Sequence, residues 1–531
     1  MQVASHPRTS ARWPLAALVA AAAVVVAACN SSSSSAPEAP AAIPFTVPKA
    51  TCGASDVVEK DLQGQVSAAV RNAGFKGYNC NLNLIGQVRD EGAGWQYAWF
   101  TDRAGHICGY HDTSAATDNR TNVGTRVIDQ SNPAAPKITA YLSTTSMIDS
   151  WESLKVNERR QMLAGVQANN GSGGPNIGIY DLSGDCRNPQ LLADKPVGLD
   201  NGTGQYFIGS MVGHEGNWAP DGLTYYGGNL GNGYIYPIDV SNPTNPRLIT
   251  QYFTSPGRVH GMNISDDGSR LYEASAGQGG PARAAGVPQN NGLVILDVSA
   301  VTARVIPNPP IKVVGVVTWD DGGTSQHEIN TIINGHKYVI HADEAGSGGN
   351  SATGWAAACA ASTPSNPLPA WQYARIIDVS NENSPFVVSK LILEAYDPKY
   401  CAQVIPDLAG LSAFTYGSHY CSVDNRNNAT TLACGYFNSG IRVFDIRDPL
   451  RPKEIAYFNP PGTTTSSPGS NHLRAGGWVA GWPDWCAGQI RMDASAATLS
   501  TTCQDNGFLS LKFSNNAWPF PTSTTPPGLQ N

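Results

Sequence analysis

The most regular pattern in the chain is a short run of apolar, often β-branched residues that ends in Asp and is followed by a polar turn. It reads Gly-Tyr-Ile-Tyr-Pro-Ile-Asp over 233–239 and Gly-Leu-Val-Ile-Leu-Asp over 292–297. Such runs predict strands, and the Ser, Asn and Pro that follow predict a turn in which the Asp side chain bonds the backbone. The pattern occurs six times, with its aspartates at Asp129, Asp181, Asp239, Asp297, Asp378 and Asp445.

A hairpin lies upstream of this strand in each repeat. Residues 216–226 and 263–272, for example, read as a strand, an Asp-Gly turn and a second strand. Together with the Asp-ended strand and the strand after its turn, each repeat supplies four strands, which is one blade of a β-propeller. The aspartates are 52, 58, 58, 81 and 67 residues apart. Because common propeller repeats span ~40–50 residues, we expect long loops between the strands.

A seventh copy near the C-terminal end is incomplete. Residues 507–514 match 292–299, with Lys512 in the place of Asp297, but no fourth strand follows. Near the start of the chain, residues 81–88 resemble the fourth strand at 311–317. We therefore predict an all-β fold, a single seven-bladed β-propeller closed by an N-terminal strand that completes the last blade and removes its free edge. Six and eight blades are the alternative counts.

Composition and charge agree with this fold and exclude one class of partner. The 531 residues include 55 Gly and 37 Pro, and only 14% are charged, which is typical of a turn-rich β protein. With a formal charge of −7, the chain has no basic stripe to replace the counterions of a nucleic acid. No nucleic-acid partner is therefore expected.

The first residues predict export and a lipid anchor. Arg8 and Arg12 precede an apolar run over 13–28, and small residues lead to Cys29. This arrangement is typical of a secretory signal, and a Cys at the junction is typical of a bacterial lipobox, in which Cys29 would be acylated. We interpret 1–29 as a lipoprotein-type signal peptide, 30–79 as a Ser/Ala/Pro-rich flexible tether (to residue 48) and lead-in, 80–515 as the propeller, and 516–531 as a disordered tail.

These features together resemble a known family. The strand Gly-Leu-x-Ile-x-Asp-Val-Ser-Asn-Pro, repeated behind a lipobox, is similar to that of the bacterial LVIVD-repeat β-propeller lipoproteins, and the resemblance covers roughly residues 80 to 515. Because that family is functionally diffuse, the resemblance implies an exported propeller on the periplasmic, outer-membrane or extracellular face of the envelope, and implies little about a reaction.

Ten cysteines follow Cys29, an even number that predicts disulfides in an exported protein. Two pairs, Cys421 with Cys434 and Cys486 with Cys503, are each symmetric about a predicted hairpin turn, so we predict two cross-strand disulfides. A bond between Cys359 and Cys401 is a looser prediction between loops. The sequence does not pair the remaining four, Cys52, Cys80, Cys108 and Cys186.

Four histidines predict a candidate site on the propeller axis. When the hairpins are aligned by their turns, His214, His260, His327 and His419 share one position on four consecutive blades. The first strand of a blade lines the central channel, so we expect four imidazoles to converge on the axis, a donor set suited to Fe, Cu or Zn. A four-histidine iron centre on a seven-bladed propeller is known in carotenoid-cleaving oxygenases, which is an analogy of fold alone.

Carboxylates surround this predicted ring. Glu152 takes the same position in the second blade and Asp484 takes it in the seventh, so both are expected on the channel rim. Glu215 and Glu328 directly follow two of the histidines. Strand alternation would turn both away from the channel unless the backbone twists. We therefore interpret them as residues that accept the ring N–H groups of the histidines and hold the rings in place.

Three functions remain open from the sequence. The first is an envelope propeller that binds a small-molecule ligand or an envelope protein, with one transition metal on its axis. The second is a mononuclear metal-dependent enzyme, an oxidoreductase or a lyase. The third is a protein-interaction scaffold without metal. The sequence identifies neither a substrate nor catalytic residues.

Overall fold

The computed structural model describes most of the chain from residue 44 onward. The described residues are 44–112, 120–168, 174–197, 213–231, 233–254, 258–277, 291–305, 307–349, 351–408, 414–463, 465, 467–468, 470 and 481–524. The predicted signal peptide, Cys29 and the first part of the tether lie outside these residues, as does the end of the predicted tail.

Thirty strands are found in the described part of the chain, and they form seven antiparallel sheets. In chain order the strands are β1 (Tyr78–Cys80), β2 (Leu82–Val88), β3 (Tyr97–Thr101), β4 (Ile107–His111), β5 (Thr125–Asp129), β6 (Lys137–Leu142), β7 (Lys155–Asn157), β8 (Met162–Val166), β9 (Asn176–Asp181), β10 (Gln190–Pro196), β11 (Glu215–Trp218), β12 (Thr224–Gly228), β13 (Tyr234–Asp239), β14 (Arg247–Leu248), β15 (Tyr252–Phe253), β16 (Arg258–Ile264), β17 (Arg270–Ala276), β18 (Gly292–Asp297), β19 (Lys312–Thr318), β20 (Gly323–Ile333), β21 (His336–Ala345), β22 (Ala374–Asp378), β23 (Phe386–Lys390), β24 (Ser418–Val423), β25 (Thr431–Tyr436), β26 (Ile441–Asp445), β27 (Lys453–Asn459), β28 (Arg491–Asp493), β29 (Thr498–Cys503) and β30 (Gly507–Phe513).

Helices are short and lie in the connections between strands. They are α1 (Ala68–Asn72), α2 (Thr145–Ile148), α3 (Ser299–Thr302), α4 (Ala352–Ala361), α5 (Cys401–Val404) and three 3₁₀ segments at Glu394–Tyr396, Pro398–Tyr400 and Ile405–Leu408. In the described part of the chain, none of them has the length and apolar character needed to cross a bilayer.

The seven sheets are the blades of the predicted propeller. Blades 1, 2, 4 and 5 are the consecutive sets β3–β6, β7–β10, β16–β19 and β20–β23, and blade 3 is β11–β14 with β15 also paired to β13. Blade 6 is β24–β27 with β1 added at its outer edge, and blade 7 is β28–β30 with β2 as its fourth strand. Apolar side chains fill the space between adjacent blades. Val127 of blade 1 and Leu163 of blade 2, for example, belong to one buried cluster.

Closure of the ring by an N-terminal strand is confirmed. β2 pairs antiparallel with β30, from Leu82 opposite Phe513 to Val88 opposite Phe508. β1 extends blade 6 in the same way, with Tyr78 opposite Asn459. The outer edges of the last two blades are therefore covered by the segment that precedes the first blade.

The repeated aspartates act as predicted in the turns. Each of the six ends the third strand of its blade, and its Oδ1 accepts the backbone N–H two residues later, at 2.8 to 3.1 Å. These bonds replace backbone partners that the strand loses at its end, which is why Asp recurs there.

The lead-in contacts the propeller well before the first strand. Val47 is buried, and its N–H donates to the carbonyl of Ile392 at 2.9 Å. Farther along, the Nε2 amide of Gln63 donates to Glu454 of blade 6 at 2.8 Å, and Glu59 pairs with Arg442.

Five disulfides include all ten cysteines after Cys29. The two predicted cross-strand bonds, Cys421–Cys434 and Cys486–Cys503, are present, as is Cys359–Cys401. Cys421 and Cys434 lie directly opposite each other on β24 and β25, as the hairpin symmetry requires. The remaining four form Cys52–Cys80 and Cys108–Cys186.

Candidate metal centre

The innermost strands of blades 4, 5 and 6 each carry a β-bulge at one equivalent place. The register with the second strand shifts between Val259 and Met262, between Ser325 and His327, and between Ser418 and Cys421. A bulge adds one residue to a strand and re-aims its side chains. Two successive residues of each strand can therefore face the axis, which strict alternation would not allow.

The bulges correct the register predicted for His327. The last paired residue before the bulge is Val259 in blade 4, Ser325 in blade 5 and Ser418 in blade 6. The residue that follows it is His260, Gln326 and His419, respectively. His327 therefore matches Gly261 and Tyr420 instead. The prediction was off by one residue because it counted back from hairpin turns of unequal length. In blade 5 the strands are joined directly at Asn334-Gly335, since Ile333 pairs with His336.

Three of the four histidines surround the carboxylate of Glu152, which is 2% exposed. Its Oε2 lies 3.1 Å from Nε2 of His214 and 3.7 Å from Nδ1 of His260, and its Oε1 lies 3.3 Å from Nε2 of His419. Gln326 donates to Oε2 at 3.1 Å. Glu152, expected on the rim, is thus the common partner of the ring.

The backbone around Glu152 explains this central position. Its N–H donates to the carbonyl of His214 at 3.3 Å, and Glu152 forms an isolated parallel bridge with Glu215 of the next blade. The preceding residue, Trp151, has a φ of 51°, in the left-handed region that a bulky side chain rarely adopts. Blade 2 therefore enters the channel directly against the start of blade 3.

His260 faces carboxylates on both sides of its ring. Nδ1 lies 3.6 Å from Oε2 of Glu215, in addition to Glu152, and Nε2 lies 3.3 Å from Oε2 of Glu344. The next residue, Gly261, allows this approach, because a Cβ there would lie 2.5 Å from Oε2 of Glu215 and 2.3 Å from the carbonyl of Gln326.

His327 lies outside the group around Glu152 and has a hydrogen-bond partner at each ring nitrogen. Nδ1 lies 3.3 Å from Oε1 of Glu215, and Nε2 lies 3.3 Å from Nε2 of Gln489. Lys155 donates to the amide oxygen of Gln489 at 3.1 Å, so the amide nitrogen of Gln489 is the donor to His327. His327 is thus a neutral ring that donates from Nδ1 and accepts at Nε2.

The two glutamates that follow histidines have different environments. Glu215 faces the axis and bridges His260 and His327, although its strand β11 pairs with β12 without a shift of register. Glu328 points away from the ring, as alternation predicts, and its Oε1 lies 2.6 Å from Nδ1 of His341 on the neighbouring strand.

Asp484 is buried in blade 7. Its carboxylate accepts the backbone N–H groups of Trp485, Asp505 and Asn506 at 2.8 to 3.0 Å. The innermost strand of this blade begins only at Arg491, so Asp484 lies in an irregular segment before it. There it stabilises the backbone of its own blade.

The electrostatics of the site follow from this packing. Burial alone would raise the pKa of Glu152, but His214, His419 and His260 hold it well below its usual range. Burial would lower the pKa of His260, but its carboxylate neighbours raise it to about 10. Burial lowers the pKa of His327 to about 4 despite its bond to Glu215. His260 therefore holds two protons at neutral pH when no cation competes for its nitrogens, and His327 holds one.

Sequence reasoning missed the contributions of Glu344, Gln326 and Gln489. Glu344 lies three residues after His341 on β21, outside the position that the repeats share. Gln326 directly precedes a predicted ligand, and its role depends on the bulge, which leaves no mark in the hydrophobic pattern.

Comparisons with known proteins agree with the repeat assignment. The family model "LVIVD repeat" matches residues 231–254 and 287–305, which contain the third strands of blades 3 and 4. No curated protein matches the chain. Solved structures that match include a Bacteroides uniformis protein provisionally assigned as a 6-phosphogluconolactonase, at 11% identity and a TM-score of 0.48, over 80% of this chain and 98% of that one. So distant a likeness says nothing about the chemistry of this chain.

Proposed function

We propose that this seven-bladed propeller with LVIVD repeats is a metal-binding protein of the cell envelope, whose axial centre is formed by His214, His260, His419 and Glu152. Glu344 lies at the edge of the same centre. The proposal keeps three of the four histidines that the sequence predicts as ligands, and it leaves out His327 because both of its ring nitrogens have hydrogen-bond partners.

The observation that carries the proposal is the contact between His419 and Glu152. Nδ1 of His419 donates to the carbonyl of Ala487 at 2.9 Å, so a neutral ring has its lone pair on Nε2. That nitrogen faces Oε1 of Glu152 at 3.3 Å and forms no hydrogen bond of acceptable geometry. Two buried lone pairs in contact are unfavourable unless a proton or a metal ion lies between them.

The arrangement supports a metal ion as that cation. A histidine ligand usually donates its second ring N–H to a backbone carbonyl or carboxylate, as His419 does to Ala487. Ligands bonded at ~2.0–2.2 Å around a tetrahedral ion are about 3.3–3.6 Å apart. The distances from Glu152 to its three histidines, 3.1, 3.3 and 3.7 Å, are close to this range.

The donor set favours particular metals. Imidazole nitrogen with carboxylate oxygen suits Zn, Cu(II) and Fe, whereas soft metals favour sulfur. The ten cysteines in the described part of the chain are all in disulfides, so they offer no thiolate. We therefore propose one of these three transition metals as the cofactor.

Export and anchoring are proposed from the leader sequence. Cys29 behind a basic and apolar segment is the candidate for acylation, which would place the propeller on the envelope with membrane contact through the lipid alone. Metabolic labelling with a fatty-acid analogue tests this, with Cys29→Ser as the unlabelled control. Label retained on Cys29→Ser would contradict the anchor site.

A metal-dependent enzyme, an oxidoreductase or a lyase, is the second candidate. It is favoured by the left-handed backbone of Trp151 directly before Glu152, because strained residues cluster at active sites. The side chains of His214 and Glu344 keep 8% and 12% exposure, so solvent reaches the centre on their side.

Metal analysis of the exported, untagged protein tests the proposal. We expect about one or more equivalents of Zn, Cu or Fe to remain after exhaustive dialysis without chelator. The spectrum of a Co(II)-substituted sample would show nitrogen and oxygen ligation. Protein that retains no metal, and takes none up from buffered Zn(II), Cu(II) or Fe(II), would leave the interaction scaffold as the better reading.

A further inference from the structure

The two oxygens of Glu152 face different sets of donors. Oε2 faces His214 at 3.1 Å and His260 at 3.7 Å, whereas Oε1 faces His419 at 3.3 Å. A carboxylate whose two oxygens face different donors is placed to bridge two cations.

Glu152 belongs to two different three-residue groups. Atoms of Glu152, His214 and His260 lie within 4.8 Å of one another, and so do atoms of Glu152, Glu344 and His419. The two groups share Glu152 and no other residue. Three protein ligands with an open position are typical of catalytic metal sites.

A single ion leaves part of this arrangement without a partner. An ion bound by Glu152 and the three histidines would not use Glu344, whose side chain is only 12% exposed and whose Oε2 faces Nε2 of His260 at 3.3 Å. Both ring nitrogens of His260 and Nε2 of His419 are fully buried and lack hydrogen bonds of acceptable geometry. Five residues therefore surround the centre, one more than a tetrahedral ion binds.

We propose that the axial centre holds two divalent transition-metal ions bridged by the carboxylate of Glu152. One ion binds His214 and His260 on the Oε2 side, and the other binds His419 and Glu344 on the Oε1 side. Gln326 holds the bridging carboxylate through its bond to Oε2. This inference rests on the proposed function, since it concerns the number of ions in the same centre.

Metal counting combined with electron paramagnetic resonance tests the bridge. Apo-protein made with a chelator is loaded with Cu(II), and unbound metal is removed. We expect about two equivalents per chain, with the ions about 3.5–4 Å apart. At this separation the spins couple, so the signal of isolated Cu(II) falls well below the bound copper.

Glu344→Gln should lower the stoichiometry to about one equivalent and restore the full signal of an isolated ion, because it removes a ligand of the second ion alone. Glu382→Gln, a surface glutamate paired with Arg270, is the matched control and should behave as wild type. The wild-type spin count needs no variant, so it stands even if Glu344→Gln fails to fold.

The outcomes separate the two proposals. One equivalent with a full isolated signal in wild type, unchanged by Glu344→Gln, would overturn the bridged pair and leave the single-ion centre. No bound metal in wild type would overturn both.

Discussion

Nε2 of His419 faces Oε1 of Glu152 at 3.3 Å, while its Nδ1 lies 2.9 Å from the backbone carbonyl of Ala487. The orientation of the ring is therefore fixed by the main chain of the next blade. A buried acceptor held against a carboxylate in this way requires a cation, and the expected behaviour of the centre follows from that requirement.

Replacement of His419 should distinguish a metal ligand from a residue that only lies close to the ligands. His419→Ala removes one donor of the centre, and we expect metal affinity to fall by more than the ~10–100-fold typical of losing an outer-shell partner. His327→Gln is the comparison, because His327 lies outside the group around Glu152 and is not a proposed ligand. It should keep the wild-type metal content, although its lost hydrogen bonds should cost ~1–3 kcal/mol of stability. Metal titration and thermal unfolding of both variants measure this. A greater loss of metal in His327→Gln would restore His327 as a ligand.

Gly261 should be required for the position of Glu215. A methyl group at Gly261 would lie 2.5 Å from Oε2 of Glu215, so Gly261→Ala must displace that carboxylate from His260 and His327. We expect ~10–100-fold weaker metal binding, as for other outer-shell changes. Gly184→Ala is the control, since an added Cβ there meets no atom within 4 Å. Equal affinities for the two variants would show that Glu215 does not position the centre.

Glu273 should make the protein less stable as the pH rises. Burial raises the pKa of this fully buried carboxyl to about 8, against 4.5 when unperturbed. The folded state therefore holds a proton that the unfolded state releases, and stability is lost between pH 4.5 and about 8. Glu273→Gln removes this dependence, so it should stabilise the protein by about 3 kcal/mol near pH 7 and change little near pH 4.5. Unfolding curves of the two proteins across this range provide the test. A variant that is destabilised most at high pH would contradict the expected sign.

The closing strand should be essential for folding. A chain that begins at residue 91 lacks β2, so blade 7 keeps an open edge along β30, and we expect no cooperative unfolding transition. A chain that begins at residue 44 keeps β2 and the docked lead-in, and should unfold cooperatively. Circular dichroism and calorimetry of the two chains compare them directly. Comparable midpoints would mean that the ring is stable without its N-terminal strand.

The sequence predicted the architecture well because each blade repeats the same local chemistry. An apolar strand ended by Asp and a turn is fixed by interactions between near neighbours, so Asp239 and Asp297 identify blades without any tertiary information. The same holds for Cys421 and Cys434, whose pairing follows from the symmetry of one hairpin. The partners of Cys108 and Cys52 depend on contacts between separate elements and could not be deduced.

The site was predicted less completely because it depends on single-residue shifts between blades. The bulge in blade 5 places Gln326, not His327, beside Glu152. The strict alternation of an ideal strand does not predict such an inserted residue. The surroundings of Asp484 depend on a related shift, because the innermost strand of blade 6 begins at Ser418 whereas that of blade 7 begins only at Arg491.

The pairing of β2 with β30 also has a consequence for the order of events during synthesis. The strand that seals the ring is made before every blade, yet its partner lies more than four hundred residues later in the chain. Translation therefore delivers six complete blades before the seam can form, and the slow search for a distant partner falls at the end of folding. A chain that stops before β30 would keep β2 unpaired, and such an edge is open to pairing with another chain.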